Sequence, residues 1–191
     1  MTIYVVSGHM RTGTSMMMHA LVTGGMDGVY TKNFGSKARE EWKARNYHPN
    51  KYGFYEARMG ELHDLNVVDG KVAKLFGRML LDNKQVYDCG VRIVYMTREF
   101  ANIKASGALM RNKPPSNPSQ KEIEYYNTEK DKIIKWLNNR KDILSIDVFD
   151  YDWVVDNPRE AFELLQSHGW EFDIEKAIKA IDPDARHIGG K

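Results

Sequence analysis

Residues 3–15 read Ile-Tyr-Val-Val-Ser-Gly-His-Met-Arg-Thr-Gly-Thr-Ser, and they decide the fold of this chain. The stretch opens with a nearly continuous apolar run, as expected of a strand buried inside a parallel sheet. Gly8 and Gly13 then have the spacing of a phosphate-binding loop, and Thr14 and Ser15 close it. An apolar segment follows, so the sequence predicts a strand, an anion-binding loop and a helix in direct succession.

The loop departs from the usual pattern at one position, because Thr14 stands where a lysine normally follows the second glycine. Arg11 is the only cation within the loop, and its guanidinium suits phosphate or sulfate oxygens. Backbone N–H groups at the helix start, together with the hydroxyls of Thr12 and Ser15, can still hold an anion. His9 also lies inside the loop, where it can shape the backbone. The alternative is a plain strand-to-helix turn with a hydroxyl cap.

Length and composition are those of an ordinary globular protein. A chain of 191 residues predicts a single domain over residues 1–191, and 42% hydrophobic content is typical. The net charge of +2 gives no support for a nucleic-acid surface. The single Cys89 excludes an intramolecular disulfide and a cysteine metal cluster, and it favours a reducing compartment, so we predict a cytoplasmic protein. No apolar run approaches the roughly 20 residues of a membrane span, and no signal peptide is expected.

Strands alternate with helices along the chain. We expect strands at 2–7, 71–76, 91–97 and 143–149, and helices at 14–24, 99–112, 120–140, 158–168 and 173–181. This order predicts an α/β fold of three layers, with a mostly parallel sheet and helices on both faces. Prolines in 113–119 predict a loop, which is a candidate lid.

A second basic position follows the third predicted strand. Arg98 stands at the carboxyl end of that strand, where ligands collect in doubly wound sheets. Ser106 lies eight residues later, on a helix face that it can share with Arg98. A nucleoside triphosphatase usually has an acid at such a strand end to hold Mg²⁺. Together with the loop, Arg98 predicts a second anion-binding group; the alternative is a surface arginine paired with Glu99.

Two motifs resemble those of sulfotransferases that use 3′-phosphoadenosine 5′-phosphosulfate (PAPS). The loop Met10–Ser15 resembles the family's 5′-phosphosulfate loop. The strand end Val94–Arg98, with Ser106 eight residues after Arg98, resembles its 3′-phosphate signature. Residues 50–56, 149–158 and 184–190 are similar to segments of bacterial members. The resemblance implies a P-loop NTPase-like sulfotransferase fold. It also implies transfer of a sulfuryl group from PAPS to a hydroxyl or amine of a small-molecule or glycan acceptor, with no metal required.

The resemblance also implies roles for individual residues. Arg98 and Ser106 would bind the 3′-phosphate, and Arg186 would reach the nucleotide. Arg11 would bridge the 5′-phosphate and the sulfate and stabilise the leaving group. The remaining ligands of the phosphosulfate would be Thr12, Gly13, Thr14 and Ser15.

The catalytic base is the part of the pattern that this sequence lacks. Many family members have a histidine after the second core strand, but the corresponding stretch Lys74–Arg78 has none. Lys74 remains, and it would steady the sulfate. Glu56 is the first candidate for the base and His48 the second; the alternative for Glu56 is a surface or helix-capping acid. Residues 28–66, rich in aromatics, are predicted to form an acceptor-side insertion or, alternatively, a small helical cap.

Two other functions stay open from the sequence. A small P-loop nucleotide or metabolite kinase would bind Mg·ATP and need a metal-holding acid, and the missing loop lysine counts against it. A non-catalytic nucleotide-binding module of the same fold is favoured by the absent histidine.

Overall fold

The computed structural model describes residues 1–29, 69–82 and 89–182 of the chain. The predicted residues His48, Glu56 and Arg186 lie outside the described residues, as does most of the segment 28–66.

Strands and helices alternate within these ranges. The strands are β1 (Thr2–Gly8), β2 (Gly28–Val29), β3 (Val72–Phe76), β4 (Gly90–Thr97) and β5 (Ile143–Asp150). The helices are α1 (Thr14–Thr23), α2 (Gly77–Asp82), α3 (Phe100–Met110), α4 (Gln120–Asn138), α5 (Tyr151–Asp156), α6 (Pro158–Ser167) and α7 (Ile174–Ala180).

The strands form one sheet in the order β2-β3-β1-β4-β5, and each adjacent pair is parallel. The first strand of the chain therefore lies in the middle. In the register of the sheet, Gly8 at the end of β1 is the partner of Phe76 on β3 and of Met96 on β4. The carboxyl ends of these three strands consequently meet at one edge, next to the predicted loop.

Two hydrophobic cores cover the two faces of the sheet. Successive side chains of β1 point to opposite faces, so Tyr4 and Val6 belong to one core and Ile3 and Val5 to the other. The first core packs against α1, α5, α6 and α7, and the second packs against α4. The predicted α/β architecture, with helices on both faces of a parallel sheet, is confirmed at this level.

The four predicted strands and five predicted helices are present, with ends shifted by one or two residues. Within the described ranges, three short elements were not predicted: β2, α2 and α5. The helix α5 follows β5 without a loop, because the Asp150 carboxylate accepts hydrogen bonds from the backbone N–H of Asp152 (2.9 Å) and Trp153 (3.3 Å). No helix in the described part of the chain is long and apolar enough to cross a membrane.

Candidate anion-binding site

Two glycines set the path of the loop between β1 and α1. Gly8 has φ 151°, and a Cβ there would lie 2.4 Å from the Met96 carbonyl oxygen and 2.6 Å from Thr12 Oγ1. Gly13 has φ 92°, and a Cβ there would lie 2.2 Å from Cδ2 of the Tyr151 ring. Since both contacts forbid a side chain, glycine is required at each position. The buried Thr12 hydroxyl donates to the His9 carbonyl oxygen at 2.7 Å and closes the loop on itself.

The loop delivers the backbone to the N-terminus of α1. Gly13 is the N-cap residue, no side chain among the described residues caps the helix, and its first turn contains no acid. A turn closed by a hydroxyl cap, the alternative interpretation of this stretch, is therefore not what the structure has. The positive end of the helix dipole faces the loop, which is a favourable setting for an anion.

A lysine reaches the loop from the neighbouring strand. Lys74 lies on β3 and is only 4% exposed. Its Nζ donates a hydrogen bond to Ser15 Oγ, at 2.9 Å. The ammonium that the loop lacks at position 14 is thus provided next to the start of α1 by another element.

Arg11 connects the loop to α3. Its backbone is left-handed, with φ 70°, which is uncommon for a residue with a side chain. Its Nε donates to the hydroxyl of the buried Ser106 at 2.9 Å. The sequence interpretation gave Arg11 and Ser106 to opposite ends of one ligand, whereas the structure joins them by a hydrogen bond.

Arg98 is close to the loop as well. It is 8% exposed, and its guanidinium carbon lies 4.3 Å from the centre of the Tyr151 ring, the same ring that packs against Gly13. Its Nε is 3.8 Å from an Asp152 carboxylate oxygen. A surface arginine paired with Glu99 is therefore the wrong interpretation. One aromatic ring links Arg98 to the loop.

A cavity of about 430 Å³ opens on the other side of the loop. Its described walls are Gly8–Met10, the β3–α2 junction at Phe76–Met79, Tyr95 on β4, and one face of α4 from Tyr125 to Ile133. Burial raises the pKa of Tyr95, and the nearby Tyr126 and Glu129 raise it further. Burial likewise raises the pKa of Tyr126. Both phenols therefore stay protonated around neutral pH.

Sequence reasoning missed Tyr151, the ring between Gly13 and Arg98. Tyr151 lies in the segment 149–158 that is similar to bacterial members, but a tyrosine directly after a strand has the pattern of any core residue, so the sequence does not indicate that its ring contacts Arg98. At the end of α6, His168 Nδ1 lies 2.6 Å from the buried Asp147 carboxylate. Burial raises the pKa of Asp147, although His168 opposes that shift.

No protein-family model matches the chain, and no curated protein matches it with significant similarity. In residues 1–29, 69–82 and 89–182, no group of three or more His, Cys, Asp or Glu side chains is arranged to hold a metal ion. The function is therefore inferred from the loop, Lys74, Arg98 and the adjoining cavity.

Proposed function

We propose that this protein is a sulfotransferase of P-loop NTPase-like fold that moves a sulfuryl group from PAPS to a hydroxyl or amine of a small-molecule or glycan acceptor. The reaction breaks the bond between sulfur and the oxygen that bridges it to the 5′-phosphate. A new bond joins sulfur to the acceptor, and 3′-phosphoadenosine 5′-phosphate leaves with the electron pair. We also predict a cytoplasmic location, and this prediction is based only on the amino-acid composition.

The observation that carries this proposal is the convergence of Arg11, Lys74 and Arg98 at one edge of the sheet. Three segments far apart in the chain contribute them, and each is held by a specific contact: Ser106 for Arg11, Ser15 for Lys74 and the Tyr151 ring for Arg98. A ligand with two separate anionic groups suits such an arrangement. PAPS has a 5′-phosphosulfate and a 3′-phosphate.

In the proposed complex, the start of α1, Ser15 and Lys74 hold the phosphosulfate. Charge builds up on the 5′-phosphate as the sulfur–oxygen bond breaks, and cations and N–H groups already in position stabilise it. Arg11, whose Nε donates to the Ser106 hydroxyl, bridges the 5′-phosphate and the sulfate and stabilises the leaving group. Arg98 reads the 3′-phosphate. Protein groups provide all of this stabilisation, and the proposal requires no metal.

Calorimetry with 3′-phosphoadenosine 5′-phosphate, adenosine 5′-phosphate and Mg·ATP tests the nucleotide assignment. We expect the first to bind the wild type at least 10-fold more tightly than the second, since one added charged hydrogen bond contributes about 1.5–3 kcal/mol. Arg98→Lys and Arg98→Ala should reduce that ratio towards one. Arg159→Ala, which changes an exposed arginine of α6, is the matched control and should leave the ratio unchanged. A preference for Mg·ATP would instead identify a kinase.

Transfer of ³⁵S-labelled sulfate from PAPS to a panel of alcohols, phenols, amines and sugars tests the reaction. Arg11→Ala should lower the rate at least 100-fold, in line with the loss of one transition-state stabilising group, whereas Arg159→Ala should keep it. Tight binding of 3′-phosphoadenosine 5′-phosphate without transfer to any acceptor would favour the non-catalytic module.

A further inference from the structure

The cavity beside the loop contains few groups that could accept a proton. Its titratable walls in the described ranges are His9, Tyr95, Tyr125, Tyr126 and Glu129, together with basic side chains. A phenol is protonated near neutral pH, and burial raises the pKa of Tyr95 and Tyr126 further, so the tyrosines do not serve as bases. His9 and Glu129 remain, and of these only His9 belongs to the loop.

The hydrogen bonds of His9 define which ring nitrogen is available. Its Nδ1 lies 3.2 Å from the Met10 carbonyl oxygen. A carbonyl oxygen only accepts, so in the neutral ring the proton is on Nδ1 and the lone pair is on Nε2. No described residue holds Nε2 by a hydrogen bond.

The ring is also fixed in orientation. It meets Tyr126 edge to face, with centroids 5.6 Å apart and planes at 86°. Tyr126 is anchored in turn, because its hydroxyl donates to the Arg98 carbonyl oxygen at 3.3 Å and its ring packs on Phe100. The His9 carbonyl oxygen accepts the Thr12 hydroxyl, which fixes the backbone. His9 is thus held between the anion-binding loop and the cavity.

We infer that the cavity receives the acceptor and that His9 Nε2 is the general base that takes the proton from its hydroxyl. This inference rests on the proposed function. The acceptor oxygen loses its proton to Nε2 and attacks sulfur, and the sulfur–oxygen bond to the 5′-phosphate breaks. Register supports the position, since Gly8, directly before His9, is the partner of Phe76 at the end of β3. His9, the first residue after β1, therefore lies beside the β3–α2 junction, and both line the cavity.

The test combines binding, transfer and tautomer measurements on wild type, His9→Gln, Glu129→Gln and the control His19→Gln on α1. 3′-Phosphoadenosine 5′-phosphate should bind all four with dissociation constants within about threefold. With PAPS and a series of phenols of increasing acidity, His9→Gln should lower kcat/KM by about 10²–10⁴ for the least acidic phenol. The loss should shrink towards 4-nitrophenol, which ionises without help in mildly alkaline buffer.

Several results would overturn the role of His9. They are an equal loss of kcat/KM along the whole phenol series, no loss of kcat/KM with His9→Gln, or a larger graded loss with Glu129→Gln.

¹⁵N NMR of the imidazoles, with His9 assigned from the spectrum of His9→Gln, tests the tautomer of His9 and needs no acceptor. The neutral ring should have its proton on Nδ1, and a proton on Nε2 would refute the inference. Failure of the wild type to bind the nucleotide would instead refute the proposed function.

Discussion

Gly13 is the residue at which the loop, α1 and α5 meet. Its φ of 92° is in the left-handed region, and the Tyr151 ring occupies the space that a side chain would need. The same ring supports the Arg98 guanidinium. A side chain added at Gly13 would displace the Tyr151 ring and, through it, the Arg98 guanidinium. Gly13 and Arg98 are thus coupled although they belong to different segments of the chain.

Gly13→Ala should destabilise the protein by about 2–4 kcal/mol, because left-handed backbone costs about 1–2 kcal/mol with a side chain and the clash with Tyr151 adds to it. Urea denaturation measures the free energy of unfolding. The matched control is Gly25→Ala, where φ is 105° but no atom lies within 4 Å of the new Cβ. Gly25→Ala should lower the free energy of unfolding only by the cost of a side chain on left-handed backbone. Equal losses for both variants would contradict the role given to the Tyr151 ring.

The helix α4 shows how a single element is held at its start. Ser119 and Glu122 form a capping box, and Lys104 on α3 donates to both oxygens of the Glu122 carboxylate at 3.0 and 2.9 Å. Lys104 also donates to the Asn117 carbonyl oxygen, at 3.2 Å. Lys104 thus connects α3 both to the proline-containing loop, at Asn117, and to the first turn of α4, at Glu122.

Glu122 should make stability depend on pH below about 4.5. The hydrogen bond from Lys104, followed by those from Ser119, lowers the pKa of its carboxyl from 4.5 to about 2. A lowered folded-state pKa means that the contribution is complete above the unfolded value and is lost as pH falls towards 2.

Thermal unfolding of wild type and Glu122→Gln from pH 7 to pH 2 measures this contribution. The wild type should have the higher Tm near neutral pH, and the difference should vanish at the acid end. A difference in Tm between wild type and Glu122→Gln that is constant with pH would count against the ionised contact.

The elements differ in how far the sequence predicts them. Long segments such as α4 have a cap and a full amphipathic pattern, so their existence and ends are predictable to within two residues. β2 has two residues, too few for a periodic pattern, and α2 begins at Gly77 directly after a strand. Sequence patterns also do not contain the register that aligns Val6 with Lys74. The Lys74–Ser15 contact and the position of Tyr151 therefore required the structure.

At the scale of the whole molecule, the core on the α1 face determines where the loop lies. Phe162 on α6 is fully buried there and meets Phe172 edge to face at 5.6 Å. The helices α1, α6 and α7 share this core. The position of the loop before α1 therefore depends on packing between residues that lie outside the candidate site.

Phe162→Ala should lower the free energy of unfolding by about 3–5 kcal/mol, the usual cost of removing a buried aromatic ring. Leu164→Ala, two residues further on the same helix, removes an apolar side chain that is 41% exposed and should cost far less. Guanidinium denaturation compares the two. Similar midpoints for both variants would be inconsistent with a core centred on Phe162.

The central place of β1 in the sheet has a consequence for synthesis on the ribosome. Both of its neighbours come later in the chain, and β4 is complete only at Thr97, about 90 residues after β1 ends. At a translation rate of about 5–20 residues per second, the nascent apolar strand waits roughly 5–20 s before it can pair on both sides. During that interval its apolar side chains are exposed, and synonymous codons that slow elongation between β1 and β4 should lengthen this exposure.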